Sequence, residues 1–530
     1  MCINSNREFV HLHVHTDYSI GDSICSIYKK NRKNSDLVKM AQRYKMSAMA
    51  ITDHQSIGGA IEFYKMMNSN AVKPIIGCEI NIASSLHKPI GGVKQKSFHL
   101  VLLAKDFYGY QNLCKLTSAA NLSPKAELSK ELLSKHSKGL IGLSGCIHGE
   151  IPFLVFNDEL RLAKSSLNDY IDIFGKENFY LELMNHRLPE QPMINSQLIK
   201  IGKEFNVPPV ATNNVHYLEK EHAEIREIYA SICCKTKVKL PTKEFYLKSG
   251  DEMHELFKEV PESISNTLAI AERCNLTIPL VPYVNHYPVY KIKTGKSEKD
   301  FLRNICLNNM LNRYGFDPEK LNKLNAKQQQ TIDRIEFELN TIDSSRYCNY
   351  FLIVWDFLKY ARNIGITVGP GGGYGAGSIV AYLTYITDLD PLRYGLLFRE
   401  PVYREHIPPD FWIRLCGNRS KEVIEYVRNK YGTNCVAQIE SYRKLSIIDV
   451  INDVRKVFGE SFIKENQGKI SRYSEILEGL NRNTYIFSDE EIIIGDQQLD
   501  SLTPVNKNSK NELCNGGNFL NSFYKCEISF

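Results

Sequence analysis

A chain of 530 residues is long enough for roughly two to four domains, each with its own core. Its hydrophobic (43 %) and charged (24 %) fractions are those of an ordinary globular protein and exclude a disordered or fibrous chain. The formal net charge of +6 permits a nucleic-acid partner without requiring one, because useful basic surface is local.

The first residues, 1–7, are polar and lack the apolar core of a signal peptide. No run approaches the ~20 apolar residues needed to cross a bilayer, so no membrane partner is expected. The cysteines stand singly apart from Cys233 and Cys234, and no CxxC occurs, which argues against a zinc ribbon or a thioredoxin-like site. The expectation is a cytoplasmic chain with reduced thiols.

From residue 9 to about residue 275, short β-branched runs alternate with amphipathic stretches. Residues 47–52, 73–83, 99–103, 140–143, 179–183 and 207–212 read as buried strands, and 36–44 and 189–205 as helices. The alternation predicts an α/β domain with a largely parallel sheet, open or closed into a barrel. In such folds reactive groups gather at the carboxyl ends of strands. A helical stretch follows. Phe301, Leu302, Ile305, Cys306 and Met310 form one apolar face that ends at Gly315, and Ile332, Ile335, Leu339 and Ile342 form a second. Residues 366–432 read as a glycine loop, a short helix, a strand through Asp410 and a helix ending at Gly432. Past residue 459 the signals weaken, and 502–530 has the composition of a poorly ordered tail.

Chemistry is concentrated in the first stretch. Residues 9–19 read FVHLHVHTDYS; on a strand, His11, His13 and His15 would project from one side. A lone histidine is more often a satisfied core residue, but three in alternation on an apolar strand suit a zinc, manganese or iron ion. Further candidates sit at strand ends: Asp53 and His54, Glu79, His99, Cys146 and His216. Bridging carboxylates among histidines can lower the pKa of bound water and cradle a phosphate.

The segments HLHVHT, ITDHQSIGGA, KPIIGCEI, HLVLLAK, LIGLSGC and ATNNVHYL resemble successive motifs of the PHP (polymerase and histidinol phosphatase) domain, in the version found in bacterial DNA polymerase III alpha subunits. The resemblance implies a distorted (β/α)7 barrel holding up to three metal ions (Mn, Zn or Fe). It implies as ligands His13, His15, Asp22, His54, Glu79, His99, Cys146 and His216. Asn214 stands where the family has a ninth ligand, an aspartate; an amide oxygen can ligate but brings no negative charge. His11, His148 and His186 have no ligand role by this mapping.

Residues 350–383, YFLIVWDFLKYARNIGITVGPGGGYGAGSIVAYL, and 386–398, ITDLDPLRYGLLF, resemble the start of the C-family polymerase palm. A glycine loop before a helix can offer backbone N–H groups to a phosphate, here from Gly369, Gly371, Gly373, Gly375, Gly377 and Ser378. Gly372 replaces a family arginine suited to a triphosphate, and Tyr374 a serine. Of the strand PDFDxDF, whose carboxylates hold magnesium, this chain keeps Asp410; Trp412 and Arg414 take the places of acidic residues. The similarity runs to about residue 459, with no recognised counterpart of the second palm strand, the fingers, or the clamp- and strand-binding parts.

The resemblance thus predicts a partial α+β nucleotidyltransferase-like palm with flanking helices behind the PHP barrel. The expected layout is 1–280 for the metal-binding domain, 281–435 for the palm and its helical lead-in, 436–500 for the start of a thumb-like helical region, and 501–530 for the tail. Three functions compete. The first is a DNA-directed DNA polymerase of bacterial replication, with DNA, deoxynucleotides and other replicase subunits as partners, lacking activity by itself. The second is a PHP-type metal-dependent phosphoesterase or 3′–5′ exonuclease with a vestigial palm. The third is a non-catalytic interaction protein. Metal loading separates the second from the third, and primer extension the first from both.

Overall fold

The computed structural model describes residues 7–27, 36–86, 89–90, 97–123, 125–280, 289–398, 411–439, 442–483 and 491–494. Asp410 and the tail from residue 501 therefore lie outside the described residues. The chain divides into two compact units: the first takes in the residues up to Ile278 together with Tyr442–Thr484, the second Pro279–Ser441.

The first unit is built on a six-stranded sheet whose strands follow sequence order: β1 (Ala48–Ile51), β2 (Lys73–Ala83), β3 (Ser97–Ala104), β4 (Leu140–Leu143), β5 (Phe179–Met184) and β6 (Pro209–Thr212). The pairs β1–β2, β4–β5 and β5–β6 are parallel. β3 runs against both its neighbours, so the sheet is largely parallel, as expected, with one strand reversed. The cause is the connection into it: residues 84–96 carry no helical periodicity, and a parallel return needs a crossover element, usually a helix.

The two edges of this sheet meet through the N-terminal segment. Ala50 N donates to His11 O (2.9 Å) and Thr52 N to Val14 O (2.8 Å) on the β1 side. On the β6 side, His15 N donates to Val215 O (2.8 Å) and Val215 N to His13 O (3.0 Å). Residues 11–15 therefore complete the barrel, although they form only isolated bridges rather than a regular strand.

Alternation along the strands sorts the core into two layers. Ala50, Ile75, Val101, Leu103, Ile141, Leu143 and Val210, with Val10 and Leu12, pack in one cluster, onto which the helix Pro261–Arg273 brings Ile270. Ile51, Ile76, Ile80, Leu100 and Leu102 point the other way, onto helices such as Ala60–Ser69 and Phe107–Leu122, which contribute Phe63, Met67, Leu113 and Leu116. Each fully buried aliphatic or aromatic side chain contributes about 1.5–3 kcal/mol, so this two-layer core fixes the barrel and the strand ends that carry the site. A third cluster joins the helix Ala223–Cys234 (Ile225, Ile228, Tyr229, Ile232) to Val450, Val454, Ile470, Tyr473 and Leu477 of the helices Ile447–Phe458 and Gln467–Leu477.

In the second unit, the helices Glu298–Tyr314, Ala326–Ser344, Cys348–Asn363 and Ser420–Tyr431 surround a core of Leu302, Met310, Ile335, Leu339, Phe351, Phe357 and Val423. The first begins at a Ser297 cap and stops, as its sequence predicts, at Gly315, left-handed at φ 76°. β-structure is sparse among the described residues. Phe411 and Leu415 make isolated bridges to Gly373 and Val368, and β7 (Val436–Ile439) pairs with Glu491–Ile494.

Candidate metal centre

The barrel gathers side chains from the first histidine segment, from β2, β3 and β5, and from the segments after β1, β4 and β6. Glu79, buried on β2, lies at the middle. Its Oε2 is 2.9 Å from His13 Nε2, 3.0 Å from His15 Nε2 and 3.5 Å from His54 Nδ1, while Oε1 meets His99 Nδ1. Asp22 makes a second hub: its Oδ2 is 2.9 Å from both His54 Nε2 and His216 Nε2, and Arg226 holds its Oδ1. Cys146 Sγ lies 3.7 Å from His99 Nδ1. Asn214, in a left-handed conformation at φ 44°, has a buried Oδ1 without a hydrogen-bond partner among the described residues. Six of the eight residues expected from the sequence fall in three overlapping groups: His13, His15 and Glu79; His15, His54 and His216; and His54, Glu79 and His99. Asp22 joins them through His54 and His216, and Cys146 through His99.

The outer partners of the imidazoles decide what this cluster is built for. His13 Nδ1–H donates to Glu182 Oε1 (2.7 Å), His216 Nδ1–H to Asn214 O (2.8 Å), and His15 Nδ1 bonds Ser19 Oγ (3.0 Å). In those tautomers each Nε2 presents a lone pair toward a carboxylate oxygen, and His13 Nε2 faces His15 Nε2 at 3.1 Å. Lone pairs converging in a buried space repel unless a cation or protons lie between them. An imidazole whose second nitrogen donates to a carboxylate or backbone carbonyl is the usual arrangement of a metal-ligating histidine. The donor set of imidazole, carboxylate and thiol fits a transition metal.

Without a metal, the same geometry displaces the acid–base equilibria. Burial opposes the charge on His13, yet Glu182 and Glu79 raise its pKa to about 10. Burial likewise opposes the charge on His99, and Glu79 raises it to about 11. Burial pushes the Glu79 carboxyl up, but His99, His54 and His13 hold it well below the usual range. Burial, with Arg226 beside it, lowers His216 to about 4.

His11 and His186 lie outside the cluster. His11 Nε2 bonds Lys248 O (2.9 Å), and His186 Nε2 bonds Asn213 O (2.9 Å); burial lowers them to about 4 and about 3. Two residues at the site were missed in the sequence. Glu182 sits inside the fully buried strand FYLELM, where a carboxylate without a partner would be prohibitively costly; that misfit was the available signal. Arg226, on a helix remote in sequence, gave none.

In the second unit the glycine loop is tightly anchored. Gly369 N donates to Arg414 O (2.8 Å), and Gly371 has φ 77°. A Cβ there would meet Ile386 O, and a Cβ on Gly375 would meet the Phe411 ring. Ser378 is fully buried; its hydroxyl donates to Glu338 Oε2 (2.8 Å) and accepts from Ala381 N (3.1 Å), capping the helix Ile379–Leu383. Gly373 and Gly377 complete the loop, and a Cβ on Gly372 would lie 3.5 Å from the Trp412 ring.

The barrel and its histidine–carboxylate cluster define a PHP domain, whose family description matches residues 11–186. Residues 300–468 match the family described as the bacterial DNA polymerase III alpha NTPase domain. The chain is homologous to bacterial DNA polymerase III alpha subunits. It is 35% identical to the DNA polymerase III subunit alpha of Treponema pallidum over 96% of this chain and 45% of that protein. To that of Borreliella burgdorferi it is 40% identical over 87% of this chain and 40% of that protein. The chain thus spans less than half the length of these relatives. A solved two-domain protein from Bacteroides vulgatus, containing a predicted PHP-like metal-dependent phosphoesterase, is 13% identical with a TM-score of 0.24, covering 39% of this chain and 52% of that one. That likeness is too slight to carry an argument. No helix among the described residues is long and apolar enough to cross a membrane.

Proposed function

We propose that the first unit is a divalent transition-metal centre acting on phosphoesters, within a chain of the replicative polymerase alpha type. The observation that carries this is the convergence of imidazole Nε2 atoms on Glu79 and Asp22, with their Nδ1 atoms engaged behind them. Manganese, zinc or iron would be held by His13, His15, Asp22, His54, Glu79, His99, Cys146, Asn214 and His216. Such an ion supplies Lewis acidity and a lowered pKa for water. The chain's own part is orientation. Glu182 and the Asn214 carbonyl fix two tautomers, and Arg226 holds Asp22 Oδ1 while Oδ2 meets His54 and His216. The substrate class is a phosphodiester, such as a DNA 3′ end. The test is manganese-dependent hydrolysis of bis(p-nitrophenyl) phosphate. Loss of hydrolysis in Glu79→Gln and His13→Asn supports the reading; equal rates in chelator-treated and metal-loaded protein overturn it.

From the likeness to DNA polymerase III alpha subunits we further propose template-directed nucleotidyl transfer with magnesium as the activity of the full-length type, with DNA, deoxynucleotides and other replicase subunits as partners. We infer that this chain by itself does not extend primers. Trp412, 43% exposed, cannot donate a carboxylate, and Arg414 adds a cation where acidic groups would hold magnesium beside Asp410. A primed template with magnesium and all four deoxynucleotides tests this; extension abolished by Asp410→Ala would refute it.

A further inference from the structure

On the second unit, the helix Cys348–Asn363 and the segment after the short helix Ile379–Leu383 frame a cleft of about 330 Å³, separate in its lining from the glycine loop. Lys359 and Arg362, three residues apart on one helix, both line it, with Trp355 and Tyr385. The lining contains no carboxylate. The acidic group that acts on Arg362 through space, Asp388, is itself paired with Arg313 Nη2 at 2.8 Å. Arg362 Nη2 is buried and has no hydrogen-bond partner among the described residues, and burial lowers the Arg362 pKa. An unpaired guanidinium N–H at a cleft wall is costly to keep unless something arrives to accept from it.

A helix-terminal role does not account for this cation. The carbonyls of Ile364 and Gly365, at the end of the helix, accept from Arg419 Nη1 at 3.2 and 3.4 Å. The aromatic side of the cleft is also arranged. Lys359 Nζ lies 4.7 Å from the centroid of the Trp355 ring. Tyr385 sits at φ 60°, a strained conformation for a non-glycine residue, with Arg313 at 4.0 Å over its ring and Arg362 at 5.9 Å. Two cations, amides from Asn308 and Asn363, and an indole face are the chemistry that takes a phosphate together with an attached base.

We propose that this cleft binds the phosphate of a nucleotide, Arg362 and Lys359 gripping the phosphoryl oxygens and Trp355 meeting the base. The phosphate can come from a free nucleotide or from a nucleic-acid strand. The proposal is independent of the metal centre. The chain has two tryptophans, so W412F leaves Trp355 as its only indole reporter. The full chain carrying W412F is titrated with dTTP, with inorganic pyrophosphate and with oligothymidylate of about 15 nucleotides, following Trp355 emission. Saturable quenching by dTTP identifies a free nucleotide as the ligand. Quenching by the oligomer alone identifies a strand; with about two phosphate contacts, its binding should weaken about sevenfold from 50 to 200 mM salt. Adding Arg362→Gln should weaken binding at least about tenfold, and Lys359→Ala, at an exposed position, should weaken it without any folding defect. Trp355 emission indifferent to both dTTP and the oligomer, or quenching unchanged by both substitutions, would overturn the proposal.

Discussion

Replacing Glu79 by glutamine keeps the shape of the side chain and removes the one charge that touches four imidazoles. In metal-free protein the His13 and His99 cations lose a buried counter-charge, and breaking such a pair costs about 3–5 kcal/mol. For a unit of this size that lowers the melting temperature by roughly 4–8 °C. The metal-loaded protein adds a second difference. Bound metal stabilises by RT ln(1 + [L]/Kd), about 4.1 kcal/mol at a thousandfold excess over Kd. Should the substitution weaken affinity about a hundredfold, the same metal concentration stabilises the variant by only about 1.4 kcal/mol. Differential scanning calorimetry in chelator and in manganese reads both terms. A metal-induced gain equal in the two proteins would show that Glu79 is not at the metal and would refute the reasoning.

Asn214→Asp places a carboxylate where a buried amide oxygen, unpartnered among the described residues, now sits. It should lower the metal-free melting temperature, because an unpaired charge is buried, yet raise manganese affinity at least about tenfold; an unchanged competition titration against a chelator would exclude Asn214 from the centre. The metal-free protein should have a narrow stability optimum near neutral pH. His13 (about 10) and His99 (about 11) have raised pKa values, so their contribution is complete below the unfolded histidine value and is lost as pH climbs through theirs. His216 (about 4), Glu79 and Asp22 have lowered values, so theirs is lost as pH falls. A metal-free melting temperature that rises steadily from pH 7 to 10 would contradict the sign. Leu477→Ala, at a fully buried position against the helix that carries Arg226, should cost about 2–5 kcal/mol in the first unit's unfolding and leave the second unit's transition in place. Equal denaturant midpoints for both proteins would show that residues 442–484 are not part of that fold.

The six strands were legible because each is an apolar run bounded by turns, and burial of both faces leaves little ambiguity. β2, KPIIGCEINIA, has the same bounds in both readings. The direction of β3 was not legible, since hydrophobicity carries no sense of chain direction; only the short, non-helical connection hinted at it. The His13 and His15 alternation pointed to the site, and the loops at strand ends brought His54, Cys146 and His216 to it. What stayed hidden depends on contacts far apart in sequence. Arg226 reaches Asp22 across 204 residues, and Lys444 pairs with Asp17 at 3.2 Å across 427. Ser378 belongs to a loop whose composition suggests phosphate, while its hydroxyl is spent on Glu338 and a helix cap. Nothing in a local motif distinguishes those two uses.

Metal content reports most directly on the first unit's centre. Protein purified without chelator, exposed to manganese or zinc and dialysed, is analysed for bound metal beside Glu79→Gln. The geometry predicts a stoichiometric transition metal retained by the unmodified chain and largely lost from the variant. A chain that stays metal-free after that exposure would contradict it, and the phosphoester reading of the first unit would fall with it.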